Sequence, residues 1–240
     1  MPRLCEFVDR DLDEEHKLAK QYITTVEVGG AHAHIFYPLL NFLELKTLVV
    51  TDIDAVRSVV KKDRKGNDRN VWEKCPVAQG ERTSNTAIRE WFRPANEKDG
   101  GEAQTKVKQA PDLDMETLLA KTDAEKISGY RRIAYQVPEA PESSTCARSY
   151  EDALVLANPA IFQLADGDGQ AEDAWEIAQN LPKAETALRF AIHEKNWNVP
   201  RYITEGLKWL SEPPPPPAED TAQAPADVPP EQAATGEEVA

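Results

Sequence analysis

The chain has 240 residues, 40% of them apolar, and a formal net charge of −14. That length allows one domain with appendages and a sizeable buried core. Seven acids and no Lys or Arg lie after residue 211, which leaves 28 bases against 35 acids before it. Bulk charge does not hold such an acidic body to nucleic acid, so a role on DNA requires metal ions or a second domain to offset phosphate repulsion.

The cysteines and the apolar runs bear on the compartment. Cys5, Cys75 and Cys146 are far apart and odd in number, so they predict neither a zinc ribbon nor a disulfide framework. The N-terminus has no signal-peptide-like apolar run, and no stretch approaches the ~20 apolar residues of a membrane span. We expect a soluble, cytoplasmic protein without a membrane partner.

The first predicted elements form a βαβ unit. Residues 22–28 (YITTVEV) are β-branched and apolar, favour a strand, and end at a glycine pair. Residues 31–43 have helical spacing, although Pro38 predicts a kink or an early stop. Residues 46–51 (KTLVVT) form an apolar run of the kind buried in a parallel sheet. A right-handed crossover should join the two strands.

Helices dominate the remaining predicted elements. Ser84 and Asn85 are expected to cap a helix that ends near Phe92. Residues 133–137 (IAYQV) predict a strand, and residues 149–158 predict an amphipathic helix stopped by Asn-Pro. Three C-terminal helices are predicted at residues 171–180, 182–195 and 200–211.

Two stretches lack the composition of a packed core. Residues 93–111 predict a mobile loop. Residues from 213 onward are rich in Pro, Ala and acids, so they bury too little apolar surface to offset ordering entropy and predict a disordered tail. The expected organisation is therefore a lead-in at residues 1–19, a folded domain at 20–211 and an acidic tail at 212–240.

Three acids are the first candidates for chemistry. Asp52 and Asp54 directly follow the predicted strand at 46–51, and Glu27 lies near the end of the strand before it. Ligands bind beyond the carboxyl ends of strands in open parallel sheets, so these carboxylates are expected to converge there. Oxygen-rich sites of this kind suit Mg²⁺ or Mn²⁺. Taken singly, the aspartates could equally cap a helix, and Glu27 could lie on an exposed edge.

A strand-end Glu, a small-residue turn and DxD after a later strand resemble the Toprim fold. The string VEVGGAHAHIFYPLLNFLELKTLVVTDIDAV, followed by TSN, resembles more narrowly the C-terminal nuclease region of OLD-family (overcoming lysogenization defect) proteins of class 2. AYQVPE, ARSYEDALVLANP, LPKAETAL and WNVPRYITEGLKWL extend that resemblance over most of residues 20–211. It implies an α/β fold with a Toprim (Rossmann-like) parallel sheet flanked by helices, with additional C-terminal helices.

The resemblance also implies roles for particular residues. It makes Glu27, Asp52 and Asp54 metal ligands and assigns Glu27 and Lys183 to catalysis. The remaining implied site residues are Glu151 near the metal, Glu81 and Ser84 for a second ion, and Arg148, which either contacts the DNA backbone or pairs with Glu151. Without the resemblance, Glu151 and Lys183 are ordinary helix-surface charges.

The implied activity is a metal-dependent DNA endonuclease. Two Mg²⁺ or Mn²⁺ ions, ~4 Å apart, would clamp the attacking and leaving oxygens of a phosphodiester, and Ca²⁺ could occupy the same site. Proteins of this family resemble a fusion with an ABC-type ATPase domain. This chain has no G-x-x-x-x-G-K-[ST] motif, so such a domain is expected only as a partner in cis in the intact protein.

Two other functions fit part of the pattern. In a HAD-like phosphohydrolase, Asp52 would be the nucleophile and Asp54 the acid/base, but that motif normally opens the first strand of its sheet. A catalytically silent Toprim-like interaction module would not need Glu27, Asp52, Asp54 and Lys183 together. Small phosphate esters and plasmid DNA separate the two enzymes as substrates.

Overall fold

The computed structural model describes residues 1–29, 31–94, 111–165, 167 and 169–214. The predicted loop at 93–111 lies outside these residues apart from its ends, and the predicted tail lies outside them after residue 214. Within the described ranges, no helix is both long enough and apolar enough to cross a membrane.

Helices and strands alternate along the first half of the chain, and helices follow in the second half. The α-helices are α1 (Pro2–Val8), α2 (Tyr37–Leu43), α3 (Thr86–Trp91), α4 (Met115–Leu119), α5 (Tyr150–Ala157), α6 (Pro159–Phe162), α7 (Gln170–Asn180), α8 (Lys183–Leu188) and α9 (Arg201–Ser211). The strands are β1 (Thr47–Val50), β2 (Ala55–Lys62), β3 (Asp68–Lys74), β4 (Arg82–Thr83), β5 (Ile127–Ser128) and β6 (Arg131–Ala134). Single turns of 3-10 helix lie at Asp9–Asp11, Leu18–Lys20, Ala33–Phe36 and Val77–Gln79, and a π-helix at Arg189–His193 extends α8.

A central sheet of order β1-β6-β5 lies between two layers of helices. β1 and β6 run parallel, and β5 runs antiparallel to β6. Side chains alternate between the two faces of a sheet. Val49 and Ile133 therefore join an apolar cluster with α2, α3 and α4, while Leu48 and Ala134 join another with α1 and α9. This is the helix-flanked α/β arrangement that the sequence predicts.

Helix α9 packs very close to the central sheet at Gly206. A methyl group on Gly206 would lie 2.9 Å from Leu48 Cδ1 and 3.3 Å from Ala134 Cβ. The absence of a side chain lets the helix backbone approach the strands. One turn earlier, the buried Tyr202 reaches the carboxyl end of the sheet.

A second sheet, of order β3-β2-β4, begins directly after the two aspartates. β2 and β3 form a long antiparallel hairpin, from Val56 opposite Lys74 to Lys62 opposite Asp68. β4 pairs with the first two residues of β2 only. This hairpin was not predicted from the sequence.

The prediction of a strand at residues 22–28 is wrong. These residues have no regular secondary structure, and Tyr22 and Val26 are exposed. β-branched residues favour extended backbone, but a strand also needs a hydrogen-bonded neighbour. In the described residues, the strand that lies parallel to β1 is β6, far along the chain, so the predicted βαβ unit is not formed from residues 22–51.

The other predicted elements are confirmed with shifted ends. β1, β6, α3, α5, α7, α8 and α9 all lie within or beside their predicted ranges. Pro38 lies in the first turn of α2, where it starts the helix instead of breaking it. The cap at Asn85 is as predicted, since its side chain accepts from the backbone N–H of Ile88. At the start of α5, Ser149 forms a capping box with Asp152.

Candidate active site

The turn after β1 is held by polar groups from three distant segments. Ile53 N–H donates to the side chain of Gln136 at 2.7 Å. Asp54 N–H donates to the carbonyl of Arg148, and Ser84 Oγ donates to the carbonyl of Asp54 at 2.9 Å. Asp54 itself has a left-handed backbone, with φ of 53°. These bonds support a conformation that L-residues seldom adopt, so the two aspartates have fixed positions.

Asp52 lies in a partly buried environment at the carboxyl end of β1. Gln136 Nε2 donates to its Oδ1 at 2.7 Å, and the Gln136 side chain is fully buried. Burial raises the pKa of Asp52 to about 6; the Gln136 hydrogen bond opposes this, and the negative charges of Asp54 and Glu151 add to it. A nearby cation would favour the ionised form.

Asp54 is held by Arg148, a buried arginine that precedes α5. Arg148 Nη2 donates to Asp54 Oδ1 at 2.8 Å, and its Nε donates to the carbonyl of Ala55 at 3.1 Å. Of the two contacts considered from the sequence, the pairing with Glu151 is not formed, because the guanidinium lies on Asp54. Contact of Arg148 with DNA stays a prediction.

Glu151 and Lys183 lie close together beside the aspartates. Lys183 Nζ is 2.6 Å from Glu151 Oε1, and the lysine side chain is 75% exposed. This ion pair raises the pKa of Lys183, and the charge of Asp52 contributes in the same direction. Although burial acts to raise it, the pKa of Glu151 is lowered by the same lysine. The charges of Glu151 and Lys183 thus act on or respond to Asp52, although neither residue lines the cavity of the aspartates.

The remaining predicted site residues lie elsewhere or have other contacts. Glu27 is exposed, in the segment that forms no strand, and does not line the cavity of Asp52 and Asp54. Glu81 Oε1 accepts from the backbone N–H of Ser58 at 3.2 Å, in the second sheet. Ser84 supports the Asp54 carbonyl. The structure does not bring Glu27 or Glu81 to the aspartates, and their roles stay predictions.

A cavity of about 450 Å³ opens in front of the aspartates. It is lined by Leu4, Ala31, Val50, Thr51, Asp52, Asp54, Asn85, Tyr150, Tyr202 and Ile203. Its two carboxylates lie among apolar and neutral polar side chains, so they carry the negative charge of the lining.

The oxygens of this cavity fit a hard divalent cation. Oδ1 of each aspartate accepts a hydrogen bond, whereas Oδ2 of neither accepts one from the described residues. Magnesium is often held by one or two carboxylates, with water and substrate phosphate completing its shell. No three His, Cys, Asp or Glu side chains of the described ranges are grouped as a ready-made metal site. The residues present therefore fit an ion held by two carboxylates and shared with a substrate.

Sequence reasoning missed the buried groups that orient the site. Gln136 holds Asp52 and Ile53, while Asn85 Nδ2 donates to the carbonyl of Asp52 at 2.7 Å and to Thr51 Oγ1 at 2.8 Å. One signal was present: Gln136 is an amide within the predicted apolar strand IAYQV. A buried amide needs hydrogen-bond partners, and here they belong to the acidic turn.

Comparison with known proteins supports the resemblance found in the sequence. Residues 3–54 match the family model of the TOPRIM domain of overcoming lysogenization defect protein-like proteins. The match confirms the resemblance for this part of the chain, and it agrees with the predicted fold class.

A curated relative points in the same direction. The chain is 25% identical to endonuclease GajA of Bacillus cereus (strain HuB5-5), in a 228-residue alignment that covers 83% of this chain and 29% of that protein. The chain thus spans less than a third of the length of this relative. No solved structure matches.

Proposed function

We propose that this chain is the nuclease region of a DNA endonuclease and that Asp52 and Asp54 hold its divalent cation. The observation that carries the proposal is the pair of aspartates, held by Gln136 and Arg148 at the carboxyl edge of the sheet, that lines a cavity. The family match and the relative named an endonuclease support phosphodiester hydrolysis as the reaction.

The residues of the site divide the chemistry between them. Gln136 and Arg148 each donate to Oδ1 of one aspartate, and the Oδ2 atoms would bind the cation. Bound Mg²⁺ or Mn²⁺ would supply Lewis acidity and an activated water. Lys183, which is exposed and paired with Glu151, would stabilise the negative charge that builds on the scissile phosphate.

Further parts of the proposal rest on the resemblance. Glu27 would act as a further ligand and catalytic carboxylate if residues 22–28 approached β1. A second ion would use Glu81 and Ser84. An ABC-type ATPase domain is proposed as the partner in the intact protein, since this chain aligns to 29% of the longer relative. The division into residues 1–19, 20–211 and 212–240 also stays a proposal.

The test is cleavage of supercoiled plasmid DNA with Mg²⁺ or Mn²⁺ and with EDTA. We expect Asp52→Asn to abolish metal-dependent nicking, because the cation loses a charged ligand. Lys183→Ala should lower the rate about 10²- to 10³-fold, as loss of one charge-stabilising group does elsewhere. Circular dichroism should show that both variants stay folded.

Matched controls are Asp13→Asn and Lys195→Ala, exposed residues outside the site, which should cut like the parent. Cleavage that is unaffected by both Asp52→Asn and Lys183→Ala would refute the assignment. Hydrolysis of p-nitrophenyl phosphate without cleavage of DNA would favour the phosphohydrolase, and inactivity on both substrates the interaction module.

A further inference from the structure

A strongly basic hairpin follows the acidic turn without a break. Residues 55–74 contain seven bases and three acids, in a chain whose net charge is −14. The bases are Arg57, Lys61, Lys62, Arg64, Lys65, Arg69 and Lys74. All of them are exposed. This one element thus carries seven of the 28 Lys and Arg residues and a local net charge of +4 (seven bases minus three acids).

Much of that charge is not neutralised by neighbouring acids. Lys61 pairs with Glu73, and Lys62 pairs with Asp68. Asp63 stabilises the tip of the hairpin, where its carboxylate accepts hydrogen bonds from the backbone N–H groups of residues 65 and 67 at 2.8 and 2.9 Å. The bases that form no ion pair with any described residue are Arg57, Arg64, Lys65, Arg69 and Lys74.

The two faces of the hairpin have different chemistry. Directly opposed residues of antiparallel strands lie on the same face, so Lys61 and Arg69 share one face. On the other face, Trp72 is 46% exposed, and the Arg82 guanidinium lies 3.7 Å from the centre of its ring. Positive charge thus lies on both faces, with a flat aromatic–guanidinium surface near the base.

The base of the hairpin is fixed to the candidate active site. β2 begins at Ala55, immediately after Asp54, and Arg148 donates both to the Ala55 carbonyl and to Asp54. Glu81 N–H donates to the carbonyl of Val56 at 2.9 Å. With a rise of ~3.3 Å per residue, the eight residues of β2 reach about 25 Å from the aspartates. That distance is about seven base pairs of B-form DNA.

We propose that the hairpin of residues 55–74 holds duplex DNA across the Asp52–Asp54 edge. Lys and Arg that neutralise phosphates release counterions, and this release drives binding to DNA. A two-stranded β-ribbon also fits the major groove. The inference rests on the proposed nuclease function and identifies the surface that binds the DNA substrate. It also explains how a protein with an acidic body can approach DNA.

The test is binding of the full chain to a fluorescent duplex of about 30 base pairs, measured by anisotropy in EDTA over a range of salt concentrations. The variant is R64Q/K65Q/R69Q, which changes only exposed residues at and near the tip. We expect its Kd to rise at least tenfold. The slope of log Kobs against log salt should fall by about 2 to 3, since each lost phosphate contact removes ~0.9.

The matched control is R10Q/K20Q/K195Q, which removes the same charge from exposed residues outside the hairpin. Its Kd should stay within about twofold of the parent. Equal weakening by both variants, unchanged binding by the hairpin variant, or no binding by the parent would each overturn the inference. If the parent binds DNA through the hairpin but does not cleave it, the nuclease function alone is contradicted. If the parent cleaves DNA and the hairpin variant binds it as tightly as the parent, the role of the hairpin alone is contradicted.

Discussion

At the residue scale, the position of Asp52 depends on one buried amide. Gln136 donates to Asp52 Oδ1, accepts from Ile53 N–H, and lies 3.3 Å from the Tyr202 hydroxyl. Both ends of the amide are therefore used, and both hold the acidic turn. A group of the same size without polar atoms would leave these partners unsatisfied in a buried place.

We predict that Gln136→Leu lowers the free energy of unfolding by about 1–3 kcal/mol, because Ile53 N–H loses its acceptor without access to water. DNA cleavage should fall as well, since Asp52 loses the donor that orients it. Urea unfolding and plasmid nicking measure the two effects. Gln179→Leu, on the exposed side of α7, is the matched control. Equal stability of the two variants would show that Gln136 does not support the turn.

The aspartates could be predicted from the sequence, but the groups that hold them could not. An apolar run followed by DxD is a local pattern, and the resemblance added Glu151 and Lys183. Gln136 and Asp52 are 84 positions apart, and Arg148 and Asp54 are 94 apart. Their contacts depend on which strands become neighbours, and short-range spacing does not contain that information.

At the element scale, the first residue of α9 donates a hydrogen bond to a partly buried carboxylate. Glu139 accepts a hydrogen bond from Arg201 N–H at 3.1 Å, at the first residue of the helix. Burial nevertheless raises the pKa of Glu139 to about 7, and this hydrogen bond and the Arg201 charge offset burial only in part. An unfolded glutamate has a pKa of about 4.3, so the folded chain binds this proton more tightly.

This difference gives a pH dependence with a definite sign. Between about pH 4.5 and 7 the folded state holds more of the Glu139 proton than the unfolded state, so this group lowers the unfolding free energy as pH rises. The glutamine of Glu139→Gln does not titrate. The free energy of unfolding of this variant should therefore increase, relative to that of the parent, as the pH rises from about 4.5 to 7. Urea unfolding at several pH values measures it, with exposed Glu176→Gln as control. Parallel pH profiles for parent and Glu139→Gln would contradict the prediction.

Helices were easier to predict than strands in this chain. The cap of α5 at Ser149 and that of α3 at Asn85 involve residues within a few positions, so the sequence contains the whole interaction. Residues 22–28 have strand composition but no pairing partner among the described strands. The β2–β3 hairpin is the reverse case, since its strands are paired but their composition does not favour strands. Charged residues obscure the alternation of apolar and polar side chains, although Gly66, with φ of 84°, marks the turn.

At the scale of the whole molecule, excess negative charge should make stability respond to divalent cations. The charge of Asp54 acts to raise the pKa of Asp52, because the ionised Asp54 repels a second negative charge on Asp52. A cation bound between them should stabilise the folded chain. At ten times its Kd, Mg²⁺ is expected to raise the free energy of unfolding by about 1.4 kcal/mol.

Urea unfolding with and without Mg²⁺ tests this without any measurement of cleavage. The double variant Asp52→Asn/Asp54→Asn should not respond to the ion. The matched control is Asp11→Asn/Asp13→Asn, which removes the same charge from exposed residues and should respond like the parent. A similar gain in all three proteins would mean that Mg²⁺ acts by general screening and not at the aspartates.

Arg148 connects the hairpin of residues 55–74 to the candidate active site through two hydrogen bonds. Its guanidinium donates to the carboxylate of Asp54 and to the carbonyl of Ala55, the first residue of the hairpin. If duplex DNA binds the hairpin as proposed, a force on the hairpin would act on Asp54, the proposed metal ligand. We therefore expect a change in the length or sequence of the hairpin to alter the rate of DNA cleavage as well as the affinity for DNA.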